Sequence, residues 1–375
     1  MVVTFNVSGA AGKSALKPGF RAAGAGGEGL AVSVDMSDDT ADDTVGNPGG
    51  KLARWRTRVD RCVVFSAATI WAIGTLLWVT VQDSIPILSG VYYALPLPVL
   101  IVAGGVACAA TLRGGRDFRL TASCLLILEM QVVVWGGQVH RGSVEEPPAD
   151  AHRFVFWNVC RGNFGYDAAA SELAEIDADI IALVEATEQA EFPDFWTSRI
   201  PGYSAMRLGS GMMILCRGEI LGMKSGNVTV PEEPEAVCRY RIISLRIDGI
   251  LMRVLLMDVK SNPLMFRKPA FVRLAELADK LSDQPLIVAA DFNTPINSVW
   301  VDQLRPRLTN SFEAAGEGYR ETWPTLFPVL CLDQVWANDQ ISWHRSRQGW
   351  SGRSDHRSVT TEFSFVKSGK ADAAQ

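Results

Sequence analysis

Five short polar motifs punctuate the C-terminal half of the chain, each at or beside the end of an apolar run. Asn158 follows RFVFW, Glu185 closes DIIALVE, Asp291 and Asn293 lie in PLIVAADFN, Asp333 in LDQV, and Asp355 and His356 in SDH. Carboxylates and amides at strand ends are costly to bury unless they are paired. Several of them aimed at one place would make an acidic pocket holding one histidine. Such a pocket suits a hard divalent cation, Mg²⁺ or Mn²⁺, which prefers oxygen ligands. Other chemistries are poorly provided for. Only four histidines occur, at 140, 152, 344 and 356, with no HExxH, and the seven cysteines form no CxxC, which excludes a zinc ribbon or a thioredoxin-type motif.

The elements that must position these groups follow from periodicity. RFVFWNV, DIIALVEA, GMMILCRG, YRIISLRI, MRVLLMDV and PLIVAAD read as strands, and ASELAEI as a helix. After Pro269, the residues Phe271, Leu274, Leu277, Ala278 and Leu281 share one helical face. Strands and helices intermixed predict an α/β sandwich with the sheets inside, over residues 153–366.

Upstream, the mean hydropathy of +0.11 and the 48% apolar content are high for a soluble enzyme of 375 residues. The excess lies in residues 51–141. Cys62–Val81 carries no charge over 20 residues, Ser84–Leu112 none over 29, and Leu120–Val139 only Glu129. Three transmembrane helices are expected, with Trp55, Trp71, Trp78 and Trp135 as candidate interfacial anchors and Glu129 either a functional intramembrane carboxylate or a hydrogen-bonding group between spans. KLARWRTRVDR and RGGRDFR are basic, whereas the loop holding Asp83 and the segment HRGSVEEPPAD are not. Positive charge stays inside, so the chain reads as a multi-pass protein of the cytoplasmic membrane with its C-terminal domain outside. Residues 142–152, with Pro147 and Pro148, read as a linker, 1–50 as a disordered tail and 367–375 as a loose end. Met36 is an alternative start, which would make 1–35 an extension.

Taken in order and spacing, the five motifs resemble the endonuclease/exonuclease/phosphatase superfamily over about residues 155–363. The resemblance implies a four-layer α/β/β/α sandwich, a metal-dependent phosphoric ester hydrolase and a set of roles. Glu185 would be the principal metal ligand, with Asn158 beside it and Asp355 touching the metal shell. Asp291 would align or deprotonate the attacking water, Asn293 would bond the phosphoryl oxygens, and His356, oriented by Asp333, would donate to the phosphoryl group.

Two positions depart from the superfamily pattern. Cys160 stands where a second polar residue usually follows the first motif, and Asp258 stands where the central strand usually ends in His or Tyr. Asp258, which only accepts when ionised, would help a second metal or bind a substrate hydroxyl at the phosphate subsite, and Lys260, Asn262 and Arg267 then become the candidate phosphate donors. Cys160 and Cys331 flank two motifs that should meet, so a disulfide between them is one expectation and buried free thiols the other.

Charge and anchor bear on the substrate. From residue 151 onward 24 basic residues face 28 acidic ones, a net −4, which disfavours a nuclease gripping a DNA backbone unless Arg239, Arg241, Arg345, Arg347, Arg353 and Arg357 converge into a groove. The three-span anchor resembles the membrane-bound branch of the superfamily that includes glycopeptide-resistance accessory proteins, which implies a lipid-linked phosphate or pyrophosphate substrate. An extracytoplasmic nuclease and a non-catalytic binding protein keeping the same fold are the alternatives.

Overall fold

The computed structural model describes residues 48–113, 118–142, 146–230 and 237–366. Residues 1–47 of the tail expected at 1–50, the Met36 start, the C-terminal end 367–375 and part of the RGGRDFR loop lie outside these residues, whereas 48–50 belong to a helix. Four helices come first: α1 (Pro48–Val79), α2 (Pro86–Ala94), α3 (Leu97–Arg113) and α4 (Phe118–Gly136). Within α1 the stretch Arg56–Val79, like α4, is long and apolar enough to cross a membrane by length and composition. The expected middle span is not one straight helix. It breaks at Leu95–Pro96, and α2 and α3 meet at a bend of 68°, because proline cannot continue the hydrogen-bond ladder of the preceding turn. Two helices, or three if the bent pair counts as one, are therefore candidate spans. Gln131 ties two of them together, accepting from Trp71 Nε1 at 2.8 Å and donating to Thr75 at 2.9 Å.

The remainder is built on two sheets. The larger contains β1 (Val139–Arg141), β2 (His152–Asn158), β3 (Ile180–Val184), β4 (Ser204–Gly209) and β5 (Met212–Cys216). The smaller contains β6 (Glu219–Val228), β7 (Cys238–Ile247), β8 (Ile250–Val259), β9 (Leu286–Asp291), β10 (Thr309–Asn310) and β12 (Asp333–Ala337). The larger is completed by β11 (Gly316–Tyr319), β13 (Ile341–Gln348) and β14 (Val359–Phe365), giving the order β1-β11-β13-β14-β2-β3-β5-β4 against β10-β12-β9-β8-β7-β6. Helices α5 (Tyr166–Ile176), α6 (Pro193–Thr197), α7 (Lys268–Lys280) and α8 (Ser311–Ala315) connect them. The β7–β8 turn is Asp248-Gly249, both at positive φ, the backbone that a tight hairpin requires.

Three apolar layers hold the sandwich. Phe154, Phe156, Ile180 and Ile214 of the larger sheet meet Ile243, Val254, Leu256 and Ile287 of the smaller. The alternate residues Val155, Trp157, Ile181 and Leu183 face outward against Tyr166 and Leu173 of α5 and Trp196 of α6. On the opposite side Leu255, Met257 and Val288 pack on Phe271, Leu274 and Leu277 of α7. Strands covered on both faces must be apolar throughout, which is why β3 and β5 are buried along their whole length. The layers run α/β/β/α, as the resemblance implies. The segment expected as membrane anchor up to residue 141 ends differently: β1, directly after α4, pairs antiparallel with β11 at the edge of the larger sheet.

Candidate active site

Strand register brings the acidic groups together. Asp258 of β8 lies opposite Asp291 of β9, and Asp291 lies opposite Asp333 of β12. Three carboxylates thus stand abreast on adjacent strands of the smaller sheet. In the larger sheet Asn158 ends β2 opposite Val184, next to Glu185. The sheets meet through side chains: Asn158 Nδ2 donates to Asp291 Oδ2 at 2.9 Å, and the Asn158 carboxamide oxygen accepts from Cys160 N at 2.9 Å. The SDH loop closes the circle. Ser354 Oγ donates to the Asn158 carbonyl at 2.7 Å, and Trp157 Nε1 to the His356 carbonyl at 2.9 Å.

His356 Nδ1 lies 2.8 Å from Asp333 Oδ2, and both side chains are almost fully buried. Burial alone would lower the imidazole pKa. The Asp333 charge, then Asp291, outweigh it and push His356 up to about 10. Burial and then the Asp333 charge push Asp291 up to about 6, partly offset by His356 and the Asn158 amide. Asp258 is raised to about 7, first by burial and then by Asp291 and Glu185. Carboxylates crowded in this way repel one another, and a cation is what relieves them.

The donor set fits a divalent ion. One ligand atom each from Asp291, Asp333 and His356 lie within 4.8 Å of one another. Asp333 Oδ1 and Asp355 Oδ1 are buried without a hydrogen-bond partner, an expensive condition for a carboxylate oxygen that a metal or a metal-bound water removes. Asp333 Oδ2 and His356 Nδ1 are already engaged with each other, so their pairing competes with ligation by those two atoms.

Four residues other than glycine hold left-handed backbone at these loops: Cys160, Arg161, Glu185 and Asn293. Such strain gathers at functional sites. Gly211, at φ +73, lies against the Glu185 backbone, where an added Cβ would come within 3.3 Å of its Cα. Asn293 N donates to Asp291 Oδ1 at 2.9 Å, and its side-chain nitrogen donates to the Val259 carbonyl at 2.8 Å, fastening the ends of β8 and β9.

The structure places the remaining candidates as follows. Arg267, expected as a phosphate donor, is committed elsewhere. It is 1% exposed and its guanidinium donates to the carbonyls of Lys260, Asn262 and Asn293, so it staples the loops after β8 and β9. The Asn262 side-chain oxygen accepts from Leu264 N at 3.0 Å, which leaves its side-chain nitrogen as the candidate phosphate donor. Cys160 and Cys331 form no disulfide, and all seven cysteines are free thiols. The arginine groove does not assemble. Arg241 and Arg357 are buried on backbone carbonyls, and Arg345 and Arg347 pair with Glu317. Two cations stand beside the acidic groups: Arg161, 3.3 Å from Glu185, and Arg239, opposite Asp258 in β7. Arg161 was missed because nothing in CRG marks it until the left-handed turn after Asn158 swings it toward Glu185.

The structure is a two-sheet α/β sandwich with an acidic, histidine-bearing pocket at its strand ends. The Endonuclease/Exonuclease/phosphatase family model matches residues 155–356, more than half of the chain, and the chain belongs to that family. Its fold is similar to that of a family member from Bacteroides thetaiotaomicron (17% identity, 59% of this chain and 100% of the other, TM-score 0.49). It is also similar to a mannosyl-6-phosphatase of the same organism (16%, 57% and 100%, 0.49) and to the human Nocturnin catalytic domain with bound sulfate (16%, 59% and 97%, 0.45). No curated protein matches the chain in sequence.

Proposed function

We propose that the chain is a membrane-anchored, divalent-metal-dependent phosphoesterase whose catalytic domain stands outside the cytoplasmic membrane and hydrolyses a phosphoester or pyrophosphate bond of a lipid-linked substrate. The observation that carries the enzymatic reading is the buried Asp333–His356 pair set beside Asp291 and two unpartnered carboxylate oxygens.

Glu185, Asp355 and Asn158 would hold Mg²⁺ or Mn²⁺, with Asp291 adjacent. The ion supplies charge neutralisation to the phosphoryl oxygens. The chain's own groups do the rest. Asp291, with a pKa of about 6, is ionised at neutral pH yet basic enough to take a proton from water. His356, kept protonated by Asp333, donates to a phosphoryl oxygen and stabilises charge that grows as the leaving oxygen departs. Asn293 holds the Asp291 carboxylate through its backbone N–H. Asp258, with a pKa of about 7, can donate or accept near neutrality, which suits a substrate hydroxyl or a second cation.

Orientation rests on charge and connectivity. The basic residues Arg56, Arg58 and Arg61 lie at the start of the α1 span, Arg113 at the end of α3 and Arg119 at the start of α4. The opposite ends of α1 and α4 adjoin the catalytic domain: Trp300 Nε1 donates to the Asp83 carbonyl just after α1, and Arg320 N donates to the Gln138 carbonyl just after α4. By the positive-inside rule the domain is then outside. The lipid assignment is supported by the anchor, which raises the local concentration of membrane-borne substrate, and by the arginines committed to internal partners.

The test is hydrolysis by the full-length chain in detergent, with and without Mg²⁺, of a polyprenyl pyrophosphate, a glycerophospholipid and single- and double-stranded DNA, beside Glu185→Ala. Metal- and Glu185-dependent turnover of a lipid substrate alone is expected. Turnover of DNA alone would make the chain a nuclease. Absence of both turnover and metal binding would leave a binding protein.

A further inference from the structure

The anchor does more than tether. Asp83, in the turn between α1 and α2, is 2% exposed. Its carboxylate accepts from Tyr93 Oη at 2.8 Å, from Ser298 Oγ and from Val299 N at 3.1 Å. A carboxylate buried against the catalytic domain with three donors is a built contact, not a passing one. Helix α2 continues it. Ser89 Oγ donates to the Pro263 carbonyl, Asn297 Nδ2 donates to Tyr92 Oη at 2.7 Å, and Leu264 packs over Gly90. These partners belong to the two loops that leave Val259 and Asn293, the loops that Arg267 staples together. A third loop meets the helices as well. Val329 and Leu330 line one crevice with Trp78, Leu95 and Leu97, at the domain-side ends of α1 and α3. The same loop reaches back to the site, since Thr325 N donates to the Asp355 carbonyl at 2.8 Å and Trp323 Nε1 approaches Asp355 Oδ2 at 3.4 Å.

The helical anchor therefore meets the domain on its catalytic face. Around that contact, large apolar side chains stand in the open. Leu326 and Phe327, at the tip of the third loop, are 82% and 79% exposed, and Ile87, on α2, is 76% exposed. Leu264 is exposed beside α2. Exposed apolar tips on loops that meet the ends of apolar helices fit a lipid surface. The DNA alternative finds no support at this rim, because stacking on a single strand would call for aromatic rings interleaved with cations.

We propose that the catalytic mouth opens onto the bilayer surface, with Leu326, Phe327 and Ile87 immersed in the lipid headgroup region, so that substrate enters from the plane of the membrane. This rests on the membrane-anchored reading above, and the test separates the two. The photocrosslinking residue p-benzoylphenylalanine would be placed singly at Phe327, Leu326, Ile87, Phe65 and Ile250 of the full-length chain in nanodiscs of phosphatidylcholine and phosphatidylglycerol. Phe65 is exposed within the α1 span, and Ile250 is exposed at the end of β8 remote from Asp258, about 26 Å away by strand rise. Lipid adducts are expected at 65, 87, 326 and 327 and not at 250. Adducts at 65 without any at 326 or 327 would leave the anchor standing and overturn the membrane-facing mouth. No adduct at 65 would overturn the anchored reading and this inference with it. Two adjacent tip positions guard against one variant that fails to fold.

Discussion

Asp333→Asn removes the charge behind His356 while keeping the shape of the side chain. The pair is short, 2.8 Å, and buried on both sides, so the loss is not screened by water. With Asp333 ionised, His356 has a pKa of about 10 and is imidazolium at neutral pH. Without that charge the pKa falls, because burial is then opposed only by the smaller Asp291 and Asp355 charges, and a fall to the ordinary value of about 6.5 sets the scale of the loss. At about pH 8 the protonated fraction then drops to roughly 3%, a loss of about 30-fold from charge alone. The freed imidazole also loses its fixed tautomer and orientation, about another 10-fold or more. A fall of about 10²–10³ in kcat is expected, or about 3–4 kcal/mol of barrier. The assay is hydrolysis of bis(p-nitrophenyl) phosphate by the full-length chain in Mg²⁺ across pH 6–10, with thermal unfolding as a check on folding. The basic limb of the profile should move from near 10 to near neutrality. A folded Asp333→Asn variant with unchanged kcat and an unchanged basic limb would refute the assignment of His356 as a proton donor held by Asp333.

Other predictions bear on the same pocket. Glu185→Gln should weaken Mg²⁺ binding by about 10-fold or more in calorimetry while leaving the unfolding temperature of the metal-free protein within a few degrees, since the Glu185 side chain is partly exposed and its one arginine partner is mostly exposed. Gly211→Ala should cost about 1 kcal/mol or more from its positive φ and displace Glu185, so stability and metal affinity fall together. Arg267→Met should destabilise by about 3–5 kcal/mol in denaturant titration, because three carbonyls lose a buried donor. Asp258 and Asp291 have folded pKa values raised to about 7 and about 6 from 3.8. The folded state therefore binds their protons more tightly than the unfolded chain does. Stability of the metal-free protein should decline as pH rises from about 4 to 7, and the gain in unfolding temperature on adding Mg²⁺ should be larger at pH 7.5 than at pH 5. A metal-free protein that grows more stable across that window would contradict the crowded-carboxylate picture.

Much of this was legible in the residues themselves. Apolar strands ending on Asn158, Glu185 and Asp291, and one opening on Asp333, announce both the sandwich and the pocket, because burial demands apolar runs and chemistry demands polar ends. The α7 face and the apolar stretches of the anchor are equally local, each set by a repeat of a few residues. What the sequence could not decide depends on which distant groups become neighbours. Nothing near Arg267 distinguishes a phosphate donor from a buried staple until the carbonyls of Lys260, Asn262 and Asn293 close around it. Cys160 and Cys331 flank motifs that do meet, yet they remain free thiols. The break at Leu95–Pro96 turned an expected straight span into a bent pair, with α2 laid against the domain. Asp83 read as a lone loop acid, and only folding brings Ser298 and Val299 to it. Local pattern determines which residues are strand, helix or site, since it acts through neighbours in the chain. Register across β8, β9 and β12, and the docking of α2, are fixed by packing between segments far apart in sequence, and those contacts exist only in the folded molecule.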